Sequence, residues 1–284
     1  MKTRGLTINC NGQLLDLSTP VAMGILNVTP DSFYDGNIHN HTDKAVAHCA
    51  GMLQAGAAII DLGAASSKPG SSMISPEDEL KRLSVVLPEL IRCFPDTIIS
   101  LDTYHSTTAR YGIDHGISII NDISAGIFDP KMFETIAGAK VPYVVMHMQG
   151  TPQTMQQAPA YTNVVAEVIA WIRLRLEALS KWDIYDLIID PGFGFGKTVE
   201  QNFALLKHLN AFGIFEKPVL AGISRKSMVC KPLNISPAEA LNGSTALHMA
   251  ALQNGASILR VHDVREAVQA ITMYEQLNTE TISF

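Results

Sequence analysis

Along this chain, short apolar runs rich in β-branched residues alternate with amphipathic stretches of helical period. The strand-like runs are Val21 to Leu26, Ala57 to Ile60, Thr97 to Leu101, Ile117 to Ile120, Pro142 to Met146, Leu187 to Ile189, Pro218 to Ala221 and Ala256 to Leu259. They are too short and too continuously apolar for a one-sided antiparallel sheet. Gly56, Gly116, Gly138 and Gly255 precede four of them, which predicts helices stopped by a left-handed residue. Helical period runs from near Thr42 to Gly56, and Val165, Val168, Ile169, Ile172, Leu176 and Leu179 form one stripe between about Thr162 and Ser180. Ser75-Pro76 reads as an N-cap with a first-turn proline, and Thr198-x-x-Gln201 and Ser236-x-x-Glu239 read as capping boxes. Ahead of these units, Thr7 to Leu17 alternates around Asn11-Gly12, the signature of a type I′ hairpin.

Eight such strand–helix units predict an α/β chain folded as a (β/α)8 TIM barrel over residues 20–284, with an N-terminal β-hairpin lid over residues 1–19. An open doubly wound sheet is the alternative, but no strand-GxGxxG-helix element favours it. At 284 residues and 47% hydrophobic content the chain can bury one full core. A net charge of −6 leaves no basic stripe for nucleic acid. No apolar run approaches the roughly 18 residues of a membrane span, and Met1 to Thr7 has no signal core, so a soluble cytoplasmic protein without a membrane partner is expected. Cys10, Cys49, Cys93 and Cys230 are scattered without metal-ligand spacing and read as reduced thiols.

In a barrel all strand C-termini open on one face, so Asn27, Asp61, Asp102, Asn121, His147, Asp190, the Gly222 to Lys226 loop, Arg260 and His262 share it. Each has an ordinary use alone: a turn, a helix cap, a satisfied core histidine. Together they make a polar bowl on an apolar barrel. Arg260 and His262, two apart, point the same way and close beside Asn27, whose amide oxygen can ligate Mg²⁺. This corner suits a phosphate or diphosphate, unless Arg260 is spent on a salt bridge to Asp263 or Glu266. Ile223 to Ser227 reads as a second anion site, or as a solvated basic turn. Asp190 ends a strand and meets Pro191-Gly192-Phe193-Gly194-Phe195-Gly196-Lys197, where a carboxylate either caps the next helix or awaits a ligand.

With these residues in place, the chain closely resembles the dihydropteroate synthase family from about Val21 onward. The motifs are Gly24 to Phe33, Ile120 to Ile123, Met146 to Gly150, Asp190 to Lys197, Ser224 to Ser227 and Arg260 to Asp263. The resemblance implies a homodimeric transferase of folate biosynthesis and a sulfonamide target. It would condense 6-hydroxymethyl-7,8-dihydropterin diphosphate with 4-aminobenzoate by a dissociative, Mg²⁺-assisted reaction. By that likeness Asp102, Asp190 and Lys226 are catalytic and hold the pterin with Asn121. Asn27 takes the metal, Arg260 and His262 grip the diphosphate, and Ser227 receives the benzoate carboxylate between Phe33 and Phe193. Ser67, Lys68, Met146 and Gly222 complete the substrate-binding set.

One motif departs from the family. Its Gly-Gly-Glu-Ser-Thr-Arg-Pro-Gly stands here as Gly63-Ala64-Ala65-Ser66-Ser67-Lys68-Pro69-Gly70. Lys68 replaces a bidentate fork with a point charge, and Ala65 removes a carboxylate. Two other readings remain open: a pterin-binding barrel of the corrinoid methyltransferase type, which has no use for a diphosphate corner, and a degenerate barrel kept for binding or dimerisation.

Overall fold

The computed structural model describes residues 6–28, 38–65, 70–71 and 73–279. Phe33, Ser67 and Lys68 lie outside these residues. A two-stranded hairpin, β1 (Thr7–Cys10) and β2 (Gln13–Asp16), comes first. It turns at Asn11 and Gly12 with φ of 54° and 90°, the two left-handed positions that a type I′ turn requires. Then follow β3 (Val21–Asn27), α1 (Ile38–Gln54), β4 (Ile59–Gly63), α2 (Pro76–Cys93), β5 (Ile98–Asp102), α3 (Ser106–Asp114), β6 (Ile119–Asp122) and α4 (Met132–Ala139). The second half holds β7 (Tyr143–Met146), α5 (Val164–Ser180), β8 (Leu187–Asp190), α6 (Val199–Lys207), β9 (Leu220–Ala221), α7 (Ser227–Leu233), α8 (Leu241–Gln253), β10 (Ile258–Val261) and α9 (Val264–Asn278).

Strands β3 to β10 are all parallel and each pairs with its neighbour in sequence, while β10 returns to pair with β3. The ring closes between β8 and β9, where Ile189 bridges Val219 and its N–H donates to the Pro218 carbonyl at 2.8 Å. The architecture is the (β/α)8 barrel with an N-terminal hairpin that the alternation predicts.

The two-residue period of a strand sorts its side chains into two apolar sets. Leu26, Ile60, Leu62, Ile99, Leu101, Ile120, Val145, Ile189, Leu259 and Val261 pack outward against helix residues such as Leu87, Val168 and Leu205. Met23, Ile59, Ile98, Ile119, Val144, Ile188, Leu220 and Ile258 point inward at the start of their strands and pack with Ile8, Cys10 and Leu17. The hairpin therefore covers the N-terminal end of the barrel. Two or four residues further along each strand, the same inward parity gives Asn27, Asp61, Asp102, Asn121, Met146, Asp190, Gly222, Arg260 and His262. Apolar side chains fill one end and polar ones the other.

Three local expectations are corrected. Gly138 does not stop its helix: it lies inside α4, and Lys140 takes the left-handed position with φ 56°, its N–H on the Ile136 carbonyl. The Ser236–Glu239 box forms, yet it opens only a 3₁₀ turn over Pro237–Glu239 before α8 begins at Leu241. Strand β4 continues to Gly63, so Asp61 sits within the strand rather than at its end. The Thr198 box and the Ser75 cap form as read.

Candidate active site

The inward residues of the upper strands meet in one hydrogen-bonded layer. Arg260 on β10 donates through Nε to Asp61 Oδ2 at 2.6 Å and through Nη2 to Asp102 Oδ2 at 2.7 Å. Asn121 on β6 donates to the same Asp61 oxygen at 3.1 Å. Asp61 is fully buried and its Oδ1 has no partner among the described residues. Burial works against the Arg260 charge, but Asp61 and Asp102 outweigh it and raise its pKa. Asp102 is pushed up to about 7, first by burial and then by Asp61, Glu79 and Asp122, while Arg260 opposes. Arg260 is thus bound to Asp61 and Asp102, not to Asp263 or Glu266.

Asn27 stands at the rim of this layer. Residues 27, 63 and 102 are paired across β3, β4 and β5. A Cβ on Gly63 would lie 3.1 Å from Asn27 Oδ1 and 3.4 Å from Asp102 Cβ, so glycine leaves the space between amide and carboxylate open. Among the described residues no group of three His, Cys, Asp or Glu side chains could hold a metal ion. Mg²⁺ commonly keeps waters and substrate phosphates and takes only one or two protein oxygens. A lone hard amide oxygen beside an open gap fits an ion that arrives with a diphosphate.

Across the mouth, the Asp190 carboxylate at the end of β8 accepts the Gly192 N–H at 2.7 Å. Burial raises its pKa, against Lys226, that N–H bond, Arg260 and Lys197. Lys226, in the loop after β9, passes Gly194 and Gly222, where a Cβ would lie 3.1 Å from its Cδ and 3.6 Å from its Nζ. The ammonium donates to the Phe193 carbonyl and sits 4.6 Å from the Phe195 ring centre. Burial lowers its pKa to about 8, with Asp190 pulling the other way. Met146 packs with Tyr104, Ile123, Met155 and Phe195 beside this ammonium.

Phe193 is corrected. Its ring has no exposed surface and belongs to the packing between barrel and helices, so only its carbonyl serves the mouth. Phe195 is the aromatic on the site side of the loop, and in a glycine-rich turn no period in the sequence distinguishes the two.

The loop after β9 splits its work. Arg225, at φ 56°, binds Asp263 bidentately at 2.9 and 2.6 Å, and its N–H donates to Ser244 Oγ at 3.0 Å. It is a latch between strand ends and not a free anion donor. Ser224 Oγ lies 3.0 Å from His262 Nδ1 and accepts the His262 N–H, which joins these two at the rim near Arg260. Ser227 is exposed at the first position of α7. His147, just past β7, faces Lys197 instead of the open bowl, at 3.0 Å between Nδ1 and Nζ. Sequence reasoning missed the bridging role of Asp61 and the clamp formed by Lys197, because both depend on which strands the closed barrel sets side by side.

Residues 23–262 match the family model described as pterin binding enzyme. A dihydropteroate synthase of Escherichia coli (strain K12) is 44% identical over 266 residues, which cover 93% of this chain and 94% of that one. The Yersinia pestis dihydropteroate synthase, in a crystal structure with a sulfonamide drug complex, superposes with a TM-score of 0.91 at 40% identity, covering 96% of this chain and 100% of that one. The Xanthomonas albilineans enzyme in complex with 7,8-dihydropteroate superposes with a TM-score of 0.86 at 36% identity, covering 96% and 99%.

Proposed function

This chain belongs to the pterin-binding enzyme family, and from that premise we propose how the mouth of its barrel carries out the reaction of a dihydropteroate synthase. That reaction is a group transfer in folate biosynthesis: 6-hydroxymethyl-7,8-dihydropterin diphosphate and 4-aminobenzoate become 7,8-dihydropteroate and diphosphate. What supports the reading most is the single layer in which Arg260 binds Asp61 and Asp102, with Asp190 and Lys226 facing it across the mouth.

The flat pterin edge offers two adjacent N–H donors, which the Asp190 carboxylate accepts, while Asn121 donates and accepts along the same edge. Lys226 donates to the ring carbonyl. Met146 and the glycine at 222 border the pterin on either side of these donors. At the opposite corner Ser224, His262 and the remaining donors of Arg260 hold the diphosphate. Asn27 would hold Mg²⁺ there, and the ion when bound would supply charge neutralisation for the departing diphosphate.

The C–O bond to diphosphate breaks first, its electron pair leaving with the anion and a positive charge spreading from the methylene carbon into the dihydropterin. Asp102 and Asp190, fixed and largely dry, offset that charge. The lone pair of the aryl amine then forms the new C–N bond, and the amine proton is released. Ser227 receives the benzoate carboxylate, with Phe195 as a wall of its slot. No nucleophilic side chain takes part.

A homodimer in the cytoplasm belongs to the same reading. Exposed Phe203 on α6 and Leu233 on the adjoining α7 suit a second copy, and four free cysteines suit a reducing compartment. Among the described residues no helix is long and apolar enough to cross a membrane. Incubation with both substrates and Mg²⁺, followed by mass analysis, tests the reading: 7,8-dihydropteroate should accumulate in step with diphosphate. Diphosphate appearing without dihydropteroate would contradict it.

A further inference from the structure

Lys197 ends the glycine-rich loop after β8, and the chemistry above makes no use of it. Its side chain is 2% exposed. Around Nζ lie the Gly192 carbonyl at 2.8 Å, the Phe195 carbonyl at 2.9 Å, His147 Nδ1 at 3.0 Å and the His147 carbonyl at 3.3 Å. A lysine ammonium has three N–H donors and no acceptor. Three carbonyls and a ring nitrogen therefore form a donor-demanding cage that suits the charged amine, and the geometry makes Nδ1 of His147 an acceptor.

The cage is not generic packing. Gly192 has φ 72°, and a Cβ there would fall 1.8 Å from the His147 carbonyl oxygen, so the loop after β8 is pressed against the chain leaving β7. The His147 and Gly192 carbonyl oxygens lie 3.3 and 2.8 Å from the same Nζ, so the ammonium offsets their mutual repulsion. The same Gly192 residue donates its N–H to Asp190 Oδ1 at 2.7 Å. One residue thus faces Lys197 with its C=O and Asp190 with its N–H. Burial lowers the Lys197 pKa to about 7, while the nearby Asp190 charge sustains the cation.

We propose that Lys197 is a positioning residue for the pterin: its ammonium clamps Gly192 against His147, and Gly192 in turn aims the Asp190 carboxylate. This rests on the reading of Asp190 as the pterin's partner. The Lys197 ammonium is spent on protein acceptors, and the consequence is a selective one. Loss of the clamp should weaken the pterin half-site and leave the aryl amine half-site as it was.

Steady-state diphosphate release, with each substrate varied in turn, tests this on the unaltered protein and on Asp190→Asn, Lys197→Met, His147→Ala and Tyr161→Phe. Lys197→Met should raise KM for the pterin diphosphate by roughly ten-fold or more while KM for 4-aminobenzoate stays within about two-fold. His147→Ala removes the ring acceptor but keeps the ammonium and should move the same constant by about three-fold, so it decides the matter if Lys197→Met does not fold. Tyr161→Phe loosens the same loop at the Gly196 carbonyl, where Tyr161 donates at 2.9 Å, and should leave both constants near their original values. Equal changes in both KM values, or none, in Lys197→Met and His147→Ala would overturn the proposal while Asp190→Asn still abolished pterin use. An Asp190→Asn protein with an unchanged pterin KM would overturn both the proposal and the reading beneath it.

Discussion

Arg260, on the last strand of the barrel, donates to Asp102 at 2.7 Å across a separation of 158 residues. The same guanidinium binds the fully buried Asp61, so two carboxylates share one cation in a site that is mostly dry. Removing one member of a buried charge group leaves an uncompensated charge and costs about 3–5 kcal/mol. Arg260→Met should therefore lose about that much stability in urea unfolding at pH 8, and should lose turnover as well. The deficit should shrink as the pH falls and the orphaned Asp102 takes up a proton. A deficit that does not change with pH would show that packing, not charge, makes the difference.

The titrations of Asp102 and Lys226 fall at and just above neutral pH. In the proposed reaction turnover needs Asp102 ionised and Lys226 protonated, and these groups lie at about 7 and about 8. The profile of kcat/KM against pH should be a narrow bell with limbs near those values. Lys226→Arg, which keeps a cation through the alkaline range, should retain a weak activity that lacks the alkaline limb. Stability runs the opposite way at this site. Asp102, raised from 3.8, contributes fully below about pH 4 and loses that contribution as pH rises through 7. Lys226, depressed from 10.5, contributes fully above that value and loses its contribution as pH falls through 8. A pterin analogue should therefore raise the melting temperature most between these limbs.

Gly63 is the third point of test. An added methyl would crowd Asn27 Oδ1 at 3.1 Å and Asp102 Cβ at 3.4 Å, in a strand where alanine strains no backbone angle. Gly63→Ala should fold normally, raise KM for the pterin diphosphate by about ten-fold and leave KM for 4-aminobenzoate nearly unchanged. Unaltered kinetics would mean that Asn27 can swing aside and has no fixed role.

Chelation separates an ion that arrives with substrate from a structural one. With no group of three His, Cys, Asp or Glu side chains among the described residues to cage it, Mg²⁺ has little to bind in the substrate-free protein. A chelator should stop turnover and leave thermal unfolding of the substrate-free protein where it was. A fall in melting temperature would point to a metal cage within the protein itself.

Much of this could be read from the chain because a parallel barrel writes its geometry as a simple code. An apolar inward residue such as Ile98 or Ile188 is followed two or four positions later by a polar one, Asp102 or Asp190, at the open end. Neighbour relations were harder. That Arg260 would bridge Asp61 and Asp102 follows only once β10 lies beside β3 and the strands are staggered. Sequence separation hides such a contact, and the nearer Asp263, which with Glu266 is the alternative partner the spacing offers Arg260, is held by Arg225. The Phe193 and Phe195 rings were indistinguishable for a different reason: glycines at 192, 194 and 196 all take positive φ, so no regular period survives there. Gly138 misled because a left-handed stop follows from main-chain geometry, which Lys140 tolerates at a modest cost.

In the proposed reaction Asp190 and Lys226 hold a pterin whose diphosphate is released productively only when an aryl amine captures the cation it leaves. Coupled diphosphate release should be measured with Mg²⁺ and the pterin diphosphate, with and without 4-aminobenzoate, on the unaltered protein and on Asp190→Ala and Lys226→Ala. Sustained, aminobenzoate-dependent release by the unaltered protein, and its loss in both variants, is the predicted result. Full release in both variants, or release that ignores the aryl amine, would contradict it.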